Sequence, residues 1–171
     1  MKTLVFACLM TLTTAAVASV ATDVKALGKL AFGSDVTAVK GANAEEIFKA
    51  YLDEGEDLVF KEMVEMDWSD EVDEGFTSVA SARAMGGFAE GVYEEQLEQS
   101  DDEVRTRLQA ELKALERGWT PLINKLHAQG VKFGYTGHGP GYCGVSFIEL
   151  IIVDAKAQKV YVVYLSEGGE C

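Results

Sequence analysis

The chain has 171 residues, with 28 acidic side chains against 15 basic ones and a formal net charge of −13. Such an excess repels phosphates, which argues against nucleic-acid binding and against adhesion to anionic membranes. The length suits one domain, and the charge suits a cationic partner, although solubility of an exported protein accounts for acidity more plainly.

The first residues read as a leader. Lys2 is a minimal basic region, and the apolar run Leu4–Leu12 is too short to span a bilayer. Two cleavage signatures follow, Ala16-Val17-Ala18 and Ser19-Val20-Ala21, of which the second is preferred. The expected organisation is a cleaved signal peptide over 1–21 and a single domain over 22–171, periplasmic or secreted. Cleavage there leaves 150 residues and a charge of −14, because Lys2 is the only charged residue lost. Cys8 leaves with the leader, so Cys143 and Cys171 remain and are expected to pair in an oxidising compartment. A reactive thiol at Cys143 and an intermolecular bridge through Cys171 are the alternatives.

Residues 22–41 are weakly patterned, with Val24, Leu27, Leu30 and Ala31 suggesting a short helix ended by Gly33. Asn43 with Glu46 is a helix start, and Ile47, Phe48, Tyr51 and Leu52 share one helical face up to Gly55. The stretch Glu56–Glu74 is ambiguous between strand and helix. Lys61-Glu62-Met63 and Glu65 lean it towards helix. It is rich in acids opposed only by Lys61, which reads as a solvated face, and it lacks the ligand spacing of a calcium loop.

Phe76 to Gln99 reads as one helix weakened by Gly86, Gly87 and Gly91. No strand and no phosphate-loop pattern surrounds those glycines, so no cofactor is expected. They either admit a closely packed neighbour or mark a break. Ser100-Asp101-Asp102-Glu103 is a second capping box. The stripe after it (Val104, Leu108, Leu112, Leu115, Trp119, Leu122, Leu126) predicts a long helix up to Gly130, either kinked or divided at Pro121. Acid-before-base pairs are expected at Asp101–Arg105 and Glu103–Arg107. His127 sits near the helix end, where a surface or capping role is expected.

The period then changes from helical to alternating. Val131, Phe133 and Tyr135 mark a strand, Val145–Val153 a buried central strand, Asp154–Gln158 a turn and Lys159–Ser166 a last strand. Glu149 interrupts the central strand and is expected to reach water across an open face. Glu167–Cys171 reads as a flexible tail unless its cysteine is bridged. The fold class expected is α+β: a helical N-terminal half packed on one face of a C-terminal three-stranded antiparallel β-meander.

The conspicuous motif is Thr136-Gly137-His138-Gly139-Pro140-Gly141-Tyr142-Cys143-Gly144. Its glycines permit sharp turns, Pro140 stiffens the middle, and His138 and Tyr142 are left to protrude. His138, Gly139, Pro140, Gly141 and Tyr142 are therefore the candidate binding residues, with Cys143 and Cys171 the candidate disulfide. The histidines are only His127 and His138, which excludes a multi-histidine metal site, and no spacing suggests zinc. The strand, Pro140-x-x-Cys143-Gly144, strand, turn, strand order resembles the loop region of Ivy-type periplasmic lysozyme inhibitors. That resemblance implies a projecting, disulfide-closed loop that carries a histidine into a partner's cleft. This chain lacks the family's first loop cysteine, and His138 stands near its place.

The expected function is an exported acidic binding protein without catalytic residues. It would be an inhibitor or immunity-type protein that neutralises a cationic cell-wall or membrane hydrolase. A small cysteine hydrolase using Cys143 and His138 is the alternative, and a non-catalytic envelope protein is a third.

Overall fold

The structure is a computed structural model that describes residues 19–53, 72–138 and 145–169. In chain order the elements are α1 (Val20–Leu30), β1 (Asp35–Ala38), α2 (described over 44–53), β2 (Val72–Thr77) and α3 (Val79–Ala84). They are followed by α4 (Gly86–Gln99), α5 (Asp102–Ala128), β3 (Lys132–His138), β4 (Val145–Asp154) and β5 (Lys159–Gly169).

The class is α+β, built on one antiparallel sheet of five strands ordered β1-β5-β4-β3-β2. The expected meander β3-β4-β5 is its centre. It is flanked by two strands from the N-terminal half, so that half is not wholly helical. β1 has four residues, three of them exposed, and carries no apolar alternation. β2 takes the end of the ambiguous stretch and the start of the expected helix, Phe76 and Thr77 included, as strand. The lean towards helix is wrong for 72–74; the rest of that stretch lies outside the described residues. Pairing with β3 through six positions, from Val72↔His138 to Thr77↔Phe133, overrides the helical propensity of the local sequence.

Helices cover both faces of the sheet, not one. On the first face, α1, α3, α4 and α5 pack over Phe133, Leu150, Ile152, Tyr161, Val163 and Leu165. On the second, α2 lays Ile47 and Phe48 over Ile151, Val153, Val160 and Val162. Leu150, Ile151, Ile152 and Val153 are each 0 % exposed, so the centre of β4 is dry on both sides. This is why its sequence runs apolar without alternation. Gly134 of β3 lets α2 sit that close. A Cβ there would stand 2.6 Å from the Phe48 ring.

The expected helix over 76–99 is broken at Met85 into α3 and α4. Ser78 caps α3 by accepting from the Ser81 amide at 3.0 Å. Gly86, the first residue of α4, meets the indole of Trp119, whose Nε1 donates to the Ala82 carbonyl at 3.0 Å. Break and close packing thus coincide at one glycine. α5 is a single helix of 27 residues with Pro121 inside it. Its N-cap is Asp101, which accepts from the Val104 amide at 3.0 Å, while Ser100 turns back to the Gln96 carbonyl. The acid–base pairs formed are Arg105 with Asp102 at 2.9 Å, one residue from the expected Asp101, and Arg107 with Glu111 at 3.7 Å, an acid one turn after the arginine instead of the expected Glu103 one turn before it.

α1 begins at Val20, inside the segment assigned to the leader, with Ser19 as its N-cap. Asp23, in its first turn, is buried and binds the end of α5. Lys125 Nζ donates to Oδ1 at 2.6 Å, and the Gln129 amide donates to Oδ2. This clamp holds the first helix of the fold against its longest one.

Candidate functional site

The motif that dominates the sequence stands where the two inner strands meet. β3 ends at His138 and β4 begins at Val145. Between Lys132↔Val153 and His138↔Phe147 the pairing runs without a shift, so the base of the connection is held by a continuous ladder. The candidate residues Gly139, Pro140, Gly141 and Tyr142, and the cysteines Cys143 and Cys171, lie outside the described residues. His138 is placed by its backbone alone, between Phe147 on β4 and Val72 on β2.

The register bears on the cysteines. β4 and β5 pair outward to Val145↔Gly169. In sequence, Cys143 precedes Val145 by two residues and Cys171 follows Gly169 by two. Glu167 to Gly169 belong to β5 and are not a loose tail.

Two rungs inward of the His138↔Phe147 pair lies a group that sequence reasoning placed wrongly. Glu149 is 8 % exposed and does not reach water across an open face. It shares the parity of Ile151 and Val153, so it projects from the second face, the one covered by α2. Its rung crosses four strands: Tyr164 on β5, Glu149 on β4, Thr136 on β3 and Glu74 on β2. Directly opposed residues in such pairs have Cβ atoms about 5 Å apart. A register shift between Ile148 and Glu149 falls at this point, and a bulge re-aims side chains locally.

The electrostatics of the rung are unusual. Burial pushes the Glu149 carboxyl up to about 7 from an ordinary value of 4.5, and a hydrogen bond donated by Tyr164 partly offsets it. Tyr51 of α2 is raised well above the ordinary phenol value, by burial first and then by Glu149, Tyr164 and Asp35. Among the described residues no lysine, arginine or histidine forms an ion pair with Glu149. Aromatic surface rims it. Tyr164 is 43 % exposed and Phe76 42 %, and Phe76 packs on Phe48 with ring centroids 4.7 Å apart.

The backbone of His138 lies two rungs from Glu149: His138 pairs with Phe147 and Gly137 with Ile148 before Thr136 meets Glu149. The register therefore brings the end of β3 and the missed carboxyl to one end of the sheet. The signal for Glu149 was in the sequence: a strand apolar on both faces offers its polar residue no open side. Tyr51 and Tyr164 gave no such signal, because an aromatic on an apolar stripe reads as core. His127 is exposed and stacks on Phe133 at 6.5 Å, which agrees with a surface role.

Among the described residues no cluster of three His, Cys, Asp or Glu side chains could hold a metal, and no helix is long and apolar enough to cross a membrane. Compared with protein families, curated proteins and solved structures, the chain shows no match to any, so the loop's likeness to the lysozyme inhibitors stands on its own residues alone.

Proposed function

We propose that this chain is an exported acidic binding protein that captures a cationic protein, as an inhibitor or immunity-type partner of a basic cell-wall or membrane hydrolase. The observation that carries this reading is the charge of −13, most of it with no basic side chain to oppose it. Ion pairs between described residues engage Asp23, Asp102 and Glu111. The net excess of acids sets up a negative field, which attracts a basic partner and repels phosphates. The working end is the connection after His138, with Gly139, Pro140, Gly141 and Tyr142. Its support is mechanical: it joins two adjacent interior strands, β3 and β4, whose ladder is continuous up to His138↔Phe147.

The test is inhibition of a basic cell-wall hydrolase, with a lysozyme as probe. The mature chain should slow the enzyme at low salt, and the double variant His138→Ala/Tyr142→Ala should relieve at least about tenfold of that inhibition. Equal inhibition by the double variant, or by an unrelated protein of the same charge, refutes the assignment of the tip.

A further inference from the structure

We infer that Glu149, framed by Tyr51 and Tyr164, is a receptor for a single organic cation, the side-chain ammonium or guanidinium of a basic partner. The inference rests on the reading above and names where one of the partner's charges goes.

Glu149 is a buried carboxyl with one described donor, the Tyr164 hydroxyl, and no cation among the described residues beside it. A carboxylate has room for about four hydrogen bonds, so one phenol leaves acceptor capacity unused. Inside a protein, a cation that supplies the missing donors is worth much more than one at the surface. The second observation is what surrounds the carboxyl. Tyr164 pairs with it across β5, Tyr51 of α2 packs against the same face and feels its charge, and Phe76 stands exposed further along that face. Aromatic faces around a carboxylate attract an alkyl cation through their quadrupoles and cover its stem with apolar surface.

Other ligand classes fit poorly. An anion meets Glu149, Glu74 on the same rung and Asp35, which acts on Tyr51 from β1. A metal ion lacks a set of three ligating side chains among the described residues. An apolar ligand would leave the carboxyl unpaired. The half-exposed Tyr164 ring is the point of entry: it touches both the carboxyl and solvent. The site lies two rungs from the backbone of His138, so a partner seated on the loop can reach it with one long basic side chain.

The probes are n-butylammonium and n-butylguanidinium, titrated into the mature chain and followed by the Glu149 carboxyl carbon signal and nearby amide shifts in NMR. Binding to the wild type should saturate, and the two probes show which cation the site prefers. Glu149→Gln keeps an acceptor for Tyr164 and should weaken binding at about pH 8 by at least about tenfold. Glu94→Gln removes the same single charge from an exposed place on α4 and should change it less than about twofold. The groups facing the carboxyl are Tyr164 on β5 and Tyr51 on α2, with Asp35 on β1 and Glu74 on β2 nearby, and the comparison of variants carries the result. Affinity should rise from about pH 6 to about pH 8 more steeply in the wild type than in Glu149→Gln.

Equal binding by wild type and Glu149→Gln, equal losses in both variants, or no saturation overturns the inference. Thermal melts confirm that each variant is folded. Inhibition of the lysozyme probe by Glu149→Gln is measured in parallel. Full inhibition with lost cation binding removes Glu149 from the interface and leaves the inhibitor reading standing. Absence of inhibition by the wild type refutes that reading, whatever the cations do.

Discussion

At the scale of single residues, two positions carry consequences out of proportion to their size. Glu149 keeps its proton in the folded chain to about pH 7, whereas its ordinary value is 4.5. Between those two values the folded state holds a proton that the unfolded state has released. Stability therefore falls as pH rises through that window, and the full cost, about 3 kcal/mol, is present above it. Below the window both states are protonated and the cost vanishes. Glu149→Gln should raise the urea midpoint at about pH 8 and leave it nearly unchanged at about pH 4. Parallel pH profiles for the two proteins would show that Glu149 is not the titrating group.

Gly86 is the other position. A Cβ there would stand 2.7 Å from the Trp119 ring, whereas one on Gly87 would meet nothing within 4 Å. Gly86→Ala should cost roughly 1–3 kcal/mol through displacement of the indole. Gly87→Ala should be neutral or gain up to about 1 kcal/mol from helix propensity. Thermal melts of the two variants decide it, and a stable Gly86→Ala protein would contradict the packing described.

Among the elements, α1 discriminates between the two cleavage signatures. Ser19 caps it, accepting from the Thr22 amide at 3.3 Å, and Val20 and Ala21 pack against the core. Cleavage after Ala18 keeps the cap and both residues. Cleavage after Ala21 removes them, and loss of such a cap alone costs about 1 kcal/mol. The mature chain is expected to begin at Ser19, as read by intact mass or N-terminal sequencing. A chain starting at Thr22 should melt lower, and a natural N-terminus at Thr22 would overturn the expectation.

The β4–β5 ladder makes a second prediction at this scale. Each cysteine lies two residues along the chain from the pair Val145↔Gly169, and oxidation of the chain is expected to form Cys143–Cys171. The bridge shows as the mass of two lost hydrogens and resistance of both thiols to labelling. Reduction should cost roughly 3–4 kcal/mol. A free and fast-reacting Cys143 would revive the hydrolase alternative instead.

For the whole molecule, the relevant quantity is its field. A net charge of −13 speeds encounter with a basic partner, and salt screens it over about 8–10 Å at ordinary ionic strength. The association rate with the lysozyme probe should therefore fall by about tenfold or more as salt is raised, with a smaller change in the dissociation rate. A salt-independent association rate would show that shape alone brings the partners together.

Much of this was readable from residues. The class α+β, the stripe of α5 and the three central strands follow from periodicity, which is a local property. The capping pair Asn43 and Glu46 predicts α2: Asn43 Oδ1 accepts from the Glu46 amide at 3.0 Å, while the Glu46 carboxylate accepts from the Ala42 amide at 2.6 Å, one residue before the cap. Other features were not readable, because they depend on what a segment meets. β1 is short and polar, and it is a strand only because β5 offers an edge. β2 contradicts its own propensity, since pairing with β3 outweighs it. The expectation of a one-sided sheet failed at Ile151 and Val153, which α2 covers from the other side.

The sequence alone determined the acidity, the helical stripe, the apolar centre of β4 and the chemistry of the loop, because composition and short-range periodicity are written residue by residue. Tertiary structure alone decided that Glu149 is buried, that Tyr51 and Tyr164 share its face, and that the end of β3 lies two rungs away. Burial and cross-strand pairing join residues far apart in the chain, and the solvation of a carboxyl is set by all of its neighbours at once.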